Sequence, residues 1–124
     1  MTIELNHTII GAKNAETSAN FLAEILGLPK PTTFGPFIVV KTENNVSLDF
    51  RTTQEPITPR HFAFLVSESE FDEIFERIKN KQLKYWADPA QKKPDQINYE
   101  YDGRGCYFPD PDGHFLEIIT SPYK

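Results

Sequence analysis

Apolar and polar residues change their spacing along this chain in an order that occurs twice. Leu5 to Ile10 alternate as a strand, and Asn14 to Leu28 carry Phe21, Leu22, Ile25 and Leu26 at helical spacing with Gly27 and Pro29 as a stop. Phe37 to Thr42, the turn Glu43-Asn44-Asn45 and Val46 to Arg51 read as a hairpin, with room for a short strand near Thr33 to Gly35. After a loop with Pro56 and Pro59 the order restarts. A strand at His61 to Val66 leads to a helix from about Ser69 to Lys81, whose Phe71, Ile74, Phe75 and Ile78 form one apolar face. Ser67 or Ser69 is placed to cap it. Tyr85 to Gln96 read as an excursion loop. Ile97 to Tyr101, Gly105 to Phe108 and Phe115 to Thr120 are the closing strands, the last two joined by the turn Pro109-Asp110-Pro111-Asp112-Gly113.

The two halves keep register. His61 follows His7 by 54 residues and Phe75 follows Phe21 by the same 54, while VSLDFRT and HFLEIIT close the halves with Asp49 opposite Glu117. This predicts an α+β protein built as two βαβββ modules that form a curled mixed sheet around a cup-shaped site. We expect one domain, 1–124, made of repeats at about 1–55 and 56–124.

Strand alternation then gives the candidate chemistry. Leu116 and Ile118 take the helix side of the last strand, which turns Glu117 the other way; the same parity turns out Asp49, His61 and, less cleanly, His7. Charged groups facing a partly apolar cup are costly unless paired or metal-bound. Two imidazoles and two carboxylates suit a divalent zinc, iron, manganese, nickel or cobalt ion with positions left for water or substrate. Without Asp49, the set His7, His61 and Glu117 is the two-histidine, one-carboxylate triad suited to non-haem iron. Each residue also has a plainer reading. A single strand histidine is more often a packing residue, Asp49 can pair with Arg51, and His114 after Gly113 reads as a turn or solvent-side residue.

Composition removes several partners. Thirteen basic against eighteen acidic residues give a net charge of −5, and no basic face is concentrated enough for nucleic acid or an anionic membrane surface. No apolar run approaches the roughly 18 residues that cross a bilayer. The expectation is a soluble, cytoplasmic protein acting on a small molecule. The single Cys106 has no internal disulfide partner and fits a reducing compartment.

Three segments, LNHTII (5–10), RHFAF (60–64) and YFPDPDGHFLEI (107–118), resemble the vicinal oxygen chelate superfamily of glyoxalase I, extradiol dioxygenases and fosfomycin and bleomycin resistance proteins. The resemblance implies paired βαβββ modules, a homodimer, and a divalent metal on the positions of His7, His61 and Glu117, with Asp49 at a fourth, often acidic, position. The implied function is a metal-dependent, glyoxalase-like enzyme acting on a substrate chelated through adjacent oxygens, by isomerase, lyase or transferase chemistry. On this reading Glu117 is the expected catalytic base, and Arg51, Arg104 and Tyr107 are the expected substrate-binding residues. The alternatives are an iron-dependent extradiol-type dioxygenase and a non-catalytic drug-binding resistance protein.

Overall fold

A computed structural model describes residues 2–123 of the chain, which divides into two compact units at Thr58 and Pro59. In the first unit β1 (His7–Ala12), α1 (Ala15–Leu26), β2 (Thr32–Phe34), β3 (Phe37–Lys41) and β4 (Ser47–Thr52) build a four-stranded sheet in the order β1-β4-β3-β2. β1 runs parallel to β4, and the remaining pairs are antiparallel.

α1 starts where Asn14 accepts the Thr17 amide on its side chain, and it stops at Gly27, whose left-handed backbone (φ 72°) returns its N–H to the last turn. Ser18, Ala19, Leu22 and Ile25 form its buried face. Ile10, Ala12, Val40, Leu48 and Phe50 are the buried apolar residues on the strands of this unit. The small residues on the helix let it lie close to the strands.

The second unit contains β5 (His61–Leu65), α2 (Glu68–Asn80), β6 (Gly105–Pro109) and β7 (Phe115–Ile119), with strand order β5-β7-β6. β5 is parallel to β7, and β6 is antiparallel to it. Of the two candidate caps for α2, Ser67 is used: its hydroxyl accepts the Glu70 amide while Glu70 accepts the Ser67 amide. Phe71, Ile74 and Ile78 are buried, as are Cys106, Phe108, Leu116 and Ile118 on the helix side of the sheet. Burial pushes the Cys106 thiol up to about 12. Both sheets are mixed, in keeping with the α+β class.

One expected strand is absent. Ile97 to Tyr101 make only a single bridge, Asn98 to Gly105, before a short 3-10 turn at Glu100–Asp102. Tyr101 and Asp102 both have positive φ, 56° and 59°, which bends the backbone out of extension. The neighbouring place on the β6 edge goes to Trp86, which exchanges both backbone hydrogen bonds with Tyr107 at 2.9 Å. The expected excursion loop thus supplies part of the sheet's edge. No helix among the described residues is long and apolar enough to cross a membrane.

Two outcomes check this account. Ser67→Ala removes one half of the reciprocal cap and should cost about 1 kcal/mol in urea denaturation. Cys106 should resist a disulfide reagent at pH 8 in the native protein and react once unfolded. A thiol titrating near 12 is thiolate in only about one molecule in ten thousand at that pH.

Candidate metal centre

The parity of β7 decides where its acid goes. Leu116 and Ile118 are buried on the helix side, so Glu117 projects from the opposite face, level with Ala63 on β5 and Tyr107 on β6. Glu117 is nevertheless only 1% exposed. It is covered by side chains that carry polar ends: its Oε1 lies 3.1 Å from His61 Nε2, and the Tyr123 hydroxyl shares its proton between Oε1 (2.8 Å) and Oε2 (2.7 Å). Tyr107 places its hydroxyl 3.4 Å from that of Tyr123. Burial, followed by the hydrogen bonds with Tyr123 and Glu117, raises the Tyr107 phenol pKa well above the ordinary tyrosine range.

The other nitrogen of His61 fixes what Nε2 can do. Nδ1 is 3.0 Å from the Phe115 carbonyl oxygen, which only accepts, so Nδ1 carries a proton and donates it. In the neutral imidazole Nε2 then bears a lone pair directed at a carboxylate oxygen. Two acceptors at 3.1 Å repel unless a proton or a metal cation sits between them. Metal-bound imidazoles regularly donate their second N–H to a backbone carbonyl. Two donors each about 2.1 Å from one ion on neighbouring octahedral vertices stand about 3.0 Å apart. His61 and Glu117 fit that group in both tautomer and spacing. The ring of His61 also stacks on Tyr107 (6.0 Å) and tilts against Phe115 (6.3 Å), while its side chain stays 48% exposed.

In the first unit β1 pairs His7 with Ser47 and Ile9 with Asp49, just as β5 pairs His61 with Phe115 and Ala63 with Glu117. Each acid therefore stands two residues beyond the partner of its histidine. The details differ. His7 is exposed and donates from Nδ1 to the Asn6 side-chain oxygen at 2.8 Å, which leaves Nε2 available. Asp49 is buried and accepts from the Ser47 hydroxyl at 2.9 Å. Both line a cleft of about 750 Å³ whose other walls include Lys30, Phe34, Val39 and Lys41. No three His, Cys, Asp or Glu side chains gather within either unit, among the described residues.

The expected substrate residues separate. Tyr107 belongs to the Glu117 cluster. Arg51 is exposed on the parity of Asp49 but is absent from the walls of that cleft. Arg104 lies on the helix side instead: Nε donates to Glu68 Oε1 and Nη1 to Asp72 Oδ1, both at 2.8 Å, Nη2 donates to the Glu68 carbonyl, and the guanidinium covers the Phe71 ring. Those hydrogen bonds raise its pKa further, with burial opposing them. Its donors are committed to α2, which corrects the expectation that it holds substrate. His114 is likewise corrected from a solvent-side residue to a core one. It is 1% exposed, shares the helix-side parity of Leu116, and accepts the Arg60 amide at Nδ1.

The sequence profile of the Glyoxalase/Bleomycin resistance protein/Dioxygenase superfamily matches residues 4–118. The chain belongs to this superfamily. Among solved structures it is similar to that of Oxidase ChaP-H1, with 56% identity, 98% of each chain covered and a TM-score of 0.97. It is also similar to Metallothiol transferase FosB of Lysinibacillus sphaericus (strain C3-41), 29% identical over 97% of this chain and 84% of that protein. Glutathione transferase FosA of Serratia marcescens is 27% identical over 95% and 81%. These superfamily relatives comprise both transferases and an oxidase. Tyr123, Lys30 and Lys41 escaped the sequence reading. Tyr123 lies past the last strand and carries no periodic signal, whereas Lys41 shares the parity of Val39 and was open to the same alternation argument.

Proposed function

We propose that the protein is a metal-dependent oxidase in which His7, His61 and Glu117 hold one divalent ion, iron by preference, in a homodimer. The observation that carries this reading is the 56% identity to Oxidase ChaP-H1 over nearly the whole of both chains, against 27–29% for the transferases. It reverses the order in which the residues alone rank the chemistries, where isomerase, lyase or transferase action precedes an oxidative one. Two imidazoles and a carboxylate are the donor set of non-haem iron oxygenases. Iron on these three donors would supply one-electron chemistry toward dioxygen with positions free for a substrate's adjacent oxygens.

The chain's own residues have separable tasks. The Phe115 carbonyl and the Asn6 side chain keep protons on the Nδ1 atoms of His61 and His7, so that both Nε2 atoms stay available as donors. The cleft beside His7 takes the substrate. Phe34 and Val39 offer apolar contact, and the Lys30 and Lys41 ammonium groups offer attraction to an anionic oxygen, a task assigned from sequence to Arg51 and Arg104. Asp49 faces the same cleft and serves as a fourth donor or as a hydrogen-bond acceptor for a substrate hydroxyl. Glu117 is the nearest carboxylate to the Tyr107 and Tyr123 hydroxyls and accepts a substrate proton. Transferase action on a small anion is the second reading, supported by the FosB and FosA relatives and by the paired lysines.

The test is metal content followed by oxygen uptake. Protein purified without chelator or polyhistidine tag and loaded anaerobically with ferrous iron should bind about one ion per chain. It should then consume oxygen with a catechol or a related aromatic diol. His7→Ala, His61→Ala and Glu117→Gln should each lower metal content and reduce turnover by at least about a hundredfold. Unchanged metal content in the histidine variants would sink the site; adduct formation with glutathione and fosfomycin without oxygen uptake would replace oxidase by transferase.

A further inference from the structure

The described residues beyond β7, 120–123, are held in place by several specific contacts. Thr120 accepts the Arg104 amide on its hydroxyl at 2.8 Å and donates its own amide to the Arg104 carbonyl at 3.0 Å. Gly103 lies so close that a Cβ there would come within 2.7 Å of Ser121 Cβ and Thr120 Oγ1. Tyr101 and Asp102 adopt the left-handed backbone that side chains rarely occupy, and this turn brings the Tyr101 ring to 5.2 Å from that of Tyr123. Strain of this kind persists where the surroundings impose it. All of these contacts fix one group, the Tyr123 hydroxyl, against both oxygens of the buried Glu117 carboxylate.

We propose that Tyr123 is a positioning residue for metal binding: its hydroxyl orients Glu117 toward His61 Nε2, and the 101–103 turn exists to hold that phenol in place. The inference rests on the metal reading above and names what prepares the carboxylate for it. Glu117 Oε1 is shared between His61 and Tyr123, and Oε2 accepts from Tyr123 at 2.7 Å. His61 and Glu117 would hold the ion together, and the Tyr123 hydroxyl would keep its bond to the carboxylate. Without that hydroxyl the buried carboxylate loses the donor that spans both of its oxygens and is freer to rotate away from the imidazole. Outer hydrogen-bond partners of metal ligands typically change affinity by 10–100-fold.

The experiment measures zinc affinity of the metal-free full chain by competition with a chromophoric chelator, which needs no turnover. Tyr123→Phe removes one oxygen and keeps the ring against Tyr101; it should bind zinc about 10–100-fold more weakly. Tyr101→Ala leaves the Glu117 and Tyr123 side chains chemically unaltered but removes the ring that seats the phenol, and should weaken binding severalfold. Tyr99→Phe, at an exposed ring outside these contacts, should match wild type. Zinc titration should also perturb tyrosine absorbance in wild type, and that signal should be lost in Tyr123→Phe. Circular dichroism of each metal-free variant verifies folding. Affinities within twofold of wild type in both Tyr123→Phe and Tyr101→Ala would overturn the role of Tyr123 and leave the metal site standing. A wild-type chain that takes up no zinc or iron would overturn both.

Discussion

A buried carboxylate facing the second nitrogen of an imidazole, whose first nitrogen is committed to a backbone carbonyl, is the constraint around which the second unit is organised. With Nδ1 already donating to the Phe115 carbonyl, the 3.1 Å between Glu117 Oε1 and His61 Nε2 requires a proton or a metal cation between them. Everything nearby serves this arrangement. The Phe115 carbonyl sets the tautomer, Tyr123 hydrogen-bonds to the carboxylate, and Tyr107 and Phe115 wall the imidazole on its apolar sides. Burial of Glu117 strengthens the bonds to its carboxylate because little water competes for those oxygens.

The same register is repeated in the first unit with different neighbours. There the histidine is held by a side-chain amide next to it in sequence, the acid is shorter by one methylene, and a serine hydroxyl takes the acid's oxygen. Two copies of one backbone pattern thus carry unequal chemistry. The second presents a tightly coupled pair; the first opens as a cleft with two lysines and an aromatic wall, a surface suited to a substrate as much as to an ion. Duplication supplies the frame, and divergence of the residues around each acid assigns the tasks.

Much of this was legible in the sequence because strand alternation leaves little freedom. Once Leu116 and Ile118 are placed beneath a helix, Glu117 must face away, and the 54-residue spacing carries the argument to the other half. The same alternation places His114 in the core, where it is indeed found; the preceding glycine turn concealed that, since turns invite a surface reading. Arg104 misled for a related reason. Its position beside the final hairpin is compatible with either face, and only the acids Glu68 and Asp72 on α2 decide between them. Ile97 to Tyr101 have the residues of a strand, but two consecutive left-handed positions, which composition does not reveal, end the extension. Tyr123 depends on a path traced by the chain after its last strand, and no period encodes that.

The outer edge of β6 has a further consequence. Two isolated residues from one long loop, Trp86 and Asn98, satisfy its backbone at Tyr107 and Gly105 without forming a continuous strand. An edge left open would be a template on which a foreign peptide could add and propagate toward fibrils. Here each accessible amide and carbonyl at those positions is already engaged by irregular backbone that cannot itself be extended in register. The loop therefore keeps this stretch of edge from serving as such a template, and Asp88, which accepts the Lys92 and Lys93 amides, braces it from within.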